Sequence, residues 1–329
     1  MLRCKHIVKL FLLLSSSSLS AQELFPLNDN ASNIPKGILG VRIHANTFIE
    51  AGTLRNLNVL RAMYGITSKW SVYCSASLSN HHGTTFPKNL VSHTHSSNGT
   101  EYFTGNFQRG LPYPFRFNGI LFYNKYRFIT YDRQNEHFRM AVYGEWSSVT
   151  TAHDEAEPNL LDDTGGYGFG LISTYLKNKF AVSLTTGAVL PKKYEGYAPD
   201  PITEQMISTS VQYGKAFKYS LSIGYLIYPR VYNDYKQTNW NIYLELMGKS
   251  YGSAVVHQYG GTQQIPVTTP LLLQGFYVDV CPGLQAIINS NLRLDLSAMF
   301  PLINKSFAHF YPLIEIGAQY YFYRTNKKS

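Results

Sequence analysis

About a dozen segments of this chain alternate apolar and polar side chains with a period of two, and each is followed by a turn. Trp70 to Ser79 is the clearest. Trp70, Val72, Cys74, Ala76 and Leu78 occupy one phase, and Ser71, Tyr73, Ser75, Ser77 and Ser79 the other. Successive side chains of a strand point to opposite faces, so each segment is a strand with one apolar and one polar face. Many such strands behind a secretion signal are the pattern of a transmembrane β-barrel, apolar toward lipid and polar toward a wet bore. The expected class is all-β: a transmembrane antiparallel up-and-down barrel.

The N-terminus reads as a signal peptide over residues 1–21. Arg3, Lys5 and Lys9 precede a short apolar run, Leu10 to Leu14, then Ser15 to Ser20 and Ala21. The run is far shorter than the roughly 20 residues a transmembrane helix needs. Residues 22–36 then form a short periplasmic segment, too small for a large plug domain. Residues 37–323 form the barrel and 324–329 a periplasmic tail.

Composition fits this reading. Only 15% of residues are charged, while Tyr (26) and Phe (19) are abundant. The net charge of +9 falls to +6 once Arg3, Lys5 and Lys9 are removed, and no dense basic patch suggests a nucleic-acid partner. Cys74 and Cys281 fall in opposite strand phases, which argues against a disulfide.

The strands are expected at 38–48, 57–66, 70–80, 116–131, 137–150, 166–176, 180–189, 219–229, 239–250, 271–288, 291–302 and 311–323. Residues 206–216 are ambiguous. Alternate residues from Ile207 to Ile227 keep one phase, which favours a single long strand, 206–229, and an even count of twelve. Short turns (67–69, 132–136, 177–179, 230–238, 289–290) then gather at one end. Long loops (81–115, 151–165, 190–205, 251–270) gather at the other, the usual periplasmic and external asymmetry. Trp70, Trp146 and Trp240 lie in the apolar phase and are read as an interface girdle. The last strand alternates Ile314, Ile316, Ala318, Tyr320 and Phe322 with polar residues, although Arg324 to Ser329 extend past its terminal aromatics.

The polar phase places charges in the lumen: Arg42, His44, Lys125, Arg127, Arg139, Glu145, Glu245, Lys249, Asp279, Arg293, Asp295 and Glu315. They either cross-link the wall or line a selective path. The loop 81–115 carries His81, His82, His93 and His95, and the loop 151–165 carries Asp154, Glu155, Glu157, Asp162 and Asp163. Either could offer metal ligands, but each reads better as a polar surface loop, so no metal or cofactor is expected. No G-x-S-x-G, H-E-x-x-H or P-loop occurs. His44 and Glu315 are the one pair that barrel closure could bring together for catalysis.

Three stretches carry a family resemblance: Tyr126 to Trp146, Asn241 to Lys249, and Tyr277 to Gln285 with Asn289 to Leu296. They resemble outer-membrane barrels of the meta-pathway phenol-degradation transporter-like group, Bacteroidetes-type members included. The resemblance implies passive passage of small, apolar or aromatic solutes, and no enzyme activity. The partners expected are outer-membrane lipid, the barrel assembly machinery and an unidentified small solute, in the outer membrane of a Gram-negative bacterium. The alternatives are a closed surface barrel whose loops bind a partner, and a barrel-type lipid hydrolase.

Overall fold

The computed structural model describes residues 25–323, apart from 51, 82–93, 98–99, 104–111, 150–154, 201–202, 204, 232–235, 268–269 and 307–312. The expected signal peptide, the expected mature start at residue 22 and the expected tail 324–329 lie outside the described residues.

Twelve antiparallel strands close into a barrel. They are β1 (Leu39–Glu50), β2 (Thr53–Thr67), β3 (Trp70–Ser79), β4 (Arg116–Arg133), β5 (Glu136–Val149) and β6 (Gly166–Lys177). Then follow β7 (Phe180–Pro191), β8 (Ala216–Tyr228), β9 (Asn239–Tyr251), β10 (Gly275–Ile288), β11 (Leu292–Asn304) and β12 (Leu313–Phe322). Each pairs with its sequence neighbours, and β12 closes on β1 in the register Ala45 to Ile316. Closure leaves no unpaired strand edge.

The period-two pattern sets the faces. On β3, Trp70, Cys74 and Leu78 are exposed, while Ser71, Tyr73, Ser75, Ser77 and Ser79 are buried. Ile43, Leu60, Phe122, Leu171, Leu184, Leu244 and Ile316 carry the exposed apolar face round the wall. A continuous apolar surface of this kind is the lipid-facing belt of a transmembrane barrel. The three tryptophans lie on it, 38–40% exposed. Cys74 faces out and Cys281 is buried, and both are free.

Two of the tight turns share one device. Asn135 (φ 81°) and Asn178 (φ 54°) take left-handed backbone in the β4–β5 and β6–β7 hairpins. Asparagine tolerates that region, and two-residue hairpins need it. These turns, with 68–69, 289–291 and the described residues between β8 and β9, define the short-turn end.

One expectation on the strands is corrected. The phase from Ile207 to Ile227 is continuous, yet it belongs to two strands. Met206–Gln212 pairs with Tyr194–Pro199 and Val255–Gln258, and Gln263–Ile265 completes a separate four-stranded sheet at the long-loop end. Residues 213–215 break the ladder before β8 begins. Phase reports which way side chains point; it does not report which sheet a strand joins. The barrel count of twelve survives because the extra strand leaves the wall. The expected strand 271–288 likewise starts later, at Gly275, because Pro270–Leu272 form a 3-10 turn.

The core is split. Ala156, Leu160, Val189, Ala198, Val211, Tyr213, Val256 and Leu272 pack together at the long-loop end. Small clusters lower in the bore centre on Ile34, Ala31 and Phe25, all N-terminal to β1.

Candidate functional site: a chamber between two inward segments

The residues ahead of β1 do not stay outside the barrel. They thread the bore, and the lumen charges hold them. Glu245 on β9, 1% exposed, accepts the backbone N–H of Leu27 (3.0 Å) and of Asn28 (3.2 Å). It also accepts Asn28 Nδ2 (2.8 Å) and Ser222 Oγ (2.7 Å). Lys125 on β4, fully buried, reaches Asp29 Oδ1 and the Asn30 carbonyl, both at 2.7 Å. Ala31 N–H donates to Thr174 Oγ1 (2.9 Å) and Ile34 N–H to Ser71 Oγ (3.1 Å). Polar main chain inside a barrel must find partners. Here Ser71, Thr174 and Glu245 on β3, β6 and β9 accept its N–H groups, and Lys125 on β4 donates to a carbonyl.

A second network braces the wall where β1 meets β12. Arg42 forms ion pairs with Asp295 (3.1 Å) and Glu315 (3.0 Å) and donates to the Pro26 carbonyl (2.8 Å). Asp295 accepts Gln285 Nε2 (2.6 Å), and Gln285 accepts the Tyr243 hydroxyl (2.8 Å). Phe25 packs edge-on against the Tyr243 ring, centroids 5.7 Å apart. Charge pairing, aromatic packing and the threaded segment are one connected structure.

From the long-loop end, residues 155–164 fold inward. Glu155, Glu157, Asp162 and Asp163 are all buried. Lys249 on β9 pairs with Glu157 and donates to the Pro158 carbonyl (3.1 Å), and the Tyr277 hydroxyl donates to Glu157 (2.8 Å). The Ala156 N–H donates to the Leu271 carbonyl (2.8 Å). The acidic stretch read as a solvated loop is therefore held against the inside of the wall.

Between the two segments lies a cavity of about 370 Å³. Leu27 to Asp29 close it toward the short-turn end and Pro158 to Leu161 toward the long-loop end. Its side wall carries Arg42, His44, Arg61, Glu145 and Lys218. Three lining tyrosines stack across β3, β4 and β5. Tyr73 and Tyr123 lie 5.2 Å apart at 13°, and Tyr123 and Tyr143 lie 5.3 Å apart at 16°. Lys125 and Arg61 sit over Tyr73 (5.7 and 6.0 Å), and Lys218 over Tyr143 (5.1 Å). The ring faces are thus taken up by one another and by cations. Tyr143 fits because β6 and β7 offer Gly170 and Gly187 beneath it. A Cβ at Gly170 would meet its ring at 2.7 Å, and one at Gly187 would overlap its hydroxyl.

The residues expected in the lumen do different work. Arg42, Lys125, Glu245, Lys249, Asp295 and Glu315 hold the two inward segments or the β1–β12 seam, as above. Glu145 pairs with Lys218 beside the chamber. Asp279 and Arg293 are each 1% exposed, and the Arg293 guanidinium stands 5.0 Å from the Tyr321 ring. Arg127 and Arg139 lie near the short-turn rim. Arg127 donates to the Ser68 carbonyl (2.8 Å), while Arg139 pairs with Asp132 (3.0 Å) and donates to Ser32 Oγ (2.8 Å). His44 does not reach Glu315, whose carboxylate is engaged by Arg42; its own Nδ1 is buried without a hydrogen-bond partner. The pair that a hydrolase would have used is not assembled.

Arg61 and Lys218 were missed from the sequence, and Tyr73 and Tyr143 were read as inward-facing without their stack. β2 blurs the pattern because Leu57, Val59 and Met63 are buried on the same face as Arg61. Lys218 sits in the polar phase of β8, so its position was readable.

The fold and bore define a class, the narrow twelve-stranded transmembrane barrel with an occupied lumen. No protein-family model and no curated protein matches the sequence. Among solved structures, the COG4313 outer membrane channel from Pseudomonas putida F1 aligns over 91% of this chain and 100% of its own, with 12% identity and a TM-score of 0.53. The NanC porin aligns over 87% and 100%, with 6% identity and a TM-score of 0.41. The first likeness is one of fold.

Proposed function

We propose that the protein is an outer-membrane channel for the passive passage of small solutes, narrowed from one end by residues 25–36 and from the other by residues 155–164. The observation that carries this is the charged chamber between two inward segments, each held by side-chain contacts rather than built into the wall. Bonds of that kind can break and re-form while the barrel stays closed. The fold shared with a bacterial outer-membrane channel supports the same reading and the same membrane.

The chamber also bears on the solute. The resemblance read from the sequence implies apolar or aromatic cargo. Yet the tyrosine faces are covered, and charged groups share the space with Leu57, Leu121, Leu160, Ile172 and Met247. Such a mixed wall suits a small solute with an apolar body and a hydroxyl group, such as a phenol, better than a bare hydrocarbon.

Liposome swelling with the purified mature chain tests the proposal. Swelling should occur with the smallest sugars and amino acids and fall steeply with solute size. A closed surface barrel, favoured by the two occupied ends and the four-stranded sheet above them, would give no swelling with any solute.

A further inference from the structure

The long-loop mouth brings together two segments that looked unpromising apart. His81 follows β3, and Asp162 and Asp163 end the inward loop before β6. One nitrogen of His81 and one carboxylate oxygen from each aspartate all lie within 4.8 Å of one another. We propose that these three residues form a binding site for a divalent transition cation, with zinc the best fit, that pins the inward loop to the wall.

Distance and donor chemistry carry the proposal. His81 Nδ1 and Asp162 Oδ2 are 3.9 Å apart, too far for a hydrogen bond. Two ligands each about 2.0–2.2 Å from a tetrahedral zinc ion stand roughly 3.3–3.6 Å apart, so a small closure places both on one ion. One imidazole and two carboxylates suit zinc. Calcium takes six to eight oxygens, and a soft cation takes thiolates. Asp162 and Asp163 are 2% and 8% exposed, and a dication between them offsets the repulsion of two buried carboxylates.

The surroundings hold the ligands in place. Asn118 Nδ2 donates to Asp162 Oδ1 and to Ser79 Oγ (2.7 Å), the kind of outer contact that orients a ligating carboxylate. The His81 ring stands edge-on to Phe48, centroids 5.1 Å apart at 90°. The Asp162, Asp163 and Thr164 N–H groups all turn onto the Asn159 carbonyl, which fixes the loop's end. With Lys249 holding Glu157 across the bore, a bound cation would tether the loop on both sides.

The test is isothermal titration of the chelator-stripped mature chain, without a histidine tag, in detergent with zinc, calcium and magnesium chloride. One zinc ion should bind, at least tenfold tighter than calcium. His81→Ala and Asp163→Asn should each weaken zinc at least tenfold, while heat-modifiable gel mobility shows both variants still folded. Absence of saturable zinc binding would overturn the site, as would calcium binding the tighter. Loss with His81→Ala but not with Asp163→Asn would overturn it too, since His81 would then bind zinc with ligands other than this pair of aspartates. Should Asp163→Asn not fold, Asp162→Asn replaces it in the same comparison.

Discussion

Replacing Glu245 by alanine should open the bore without unfolding the barrel. The carboxylate holds two backbone N–H groups of the threaded segment, at 3.0 and 3.2 Å, and the Asn28 amide at 2.8 Å. Hydrogen bonds to a charged group contribute about 1.5–3 kcal/mol each, so the two main-chain bonds alone set an upper figure of about 3–6 kcal/mol. Water entering the bore recovers part of this. A net loss of about 2–3 kcal/mol shifts the balance between seated and released segment by roughly 30- to 150-fold. The wall is spared, because Glu245 pairs across strands through its backbone and its side chain meets the wall at Ser222. In planar bilayers Glu245→Ala should therefore spend far more time in a high-conductance state than wild type. Glu245→Gln, which keeps one acceptor oxygen, should fall between them. If Glu245→Ala keeps normal heat-modifiable mobility and wild-type conductance, the carboxylate does not seat the segment.

Arg42→Met would leave Asp295 and Glu315 buried without their shared cation and should cost about 3–5 kcal/mol, read as a lowered unfolding midpoint in detergent and urea. Gly187→Ala would put a Cβ on the Tyr143 hydroxyl and should destabilise by about 1–3 kcal/mol in the same assay; Tyr143→Phe in that background should recover part of it. Lys249→Met should remove the Lys249 ion pair from Glu157, which the Tyr277 hydroxyl still holds, loosen the inward loop and raise conductance from the long-loop end, independently of Glu245→Ala. Brominated lipids should quench the fluorescence of Trp70, Trp146 and Trp240, all exposed on the outer face, and unquenched emission would place them away from lipid.

The wall was legible because period two is a local property. Ser71 to Ser79 alternate whether or not a neighbour is known, and every wall strand but the one ending at Tyr228 was found within a few residues. The inward segments were not legible. Nothing in Leu27 to Ile34 is periodic, and its role depends on Glu245 and Lys125, which lie far along the chain. The acidic residues of the loop 151–165 looked solvated because their partners, Lys249, Tyr277 and Asn118, are brought near only by closure. Phase misled once, at Ile207, where two strands of different sheets shared it by chance. Charge pairing across the bore belongs to tertiary geometry, so the sequence could name Arg42 and Glu315 as inward without pairing them.

Solute passage through purified, reconstituted wild-type chain tests the central claim most directly. Swelling of liposomes by the smallest polar solutes, falling steeply with solute size and speeded by Glu245→Ala, is the predicted result. No swelling by any solute, in wild type and in Glu245→Ala alike, would show that the barrel is not a channel.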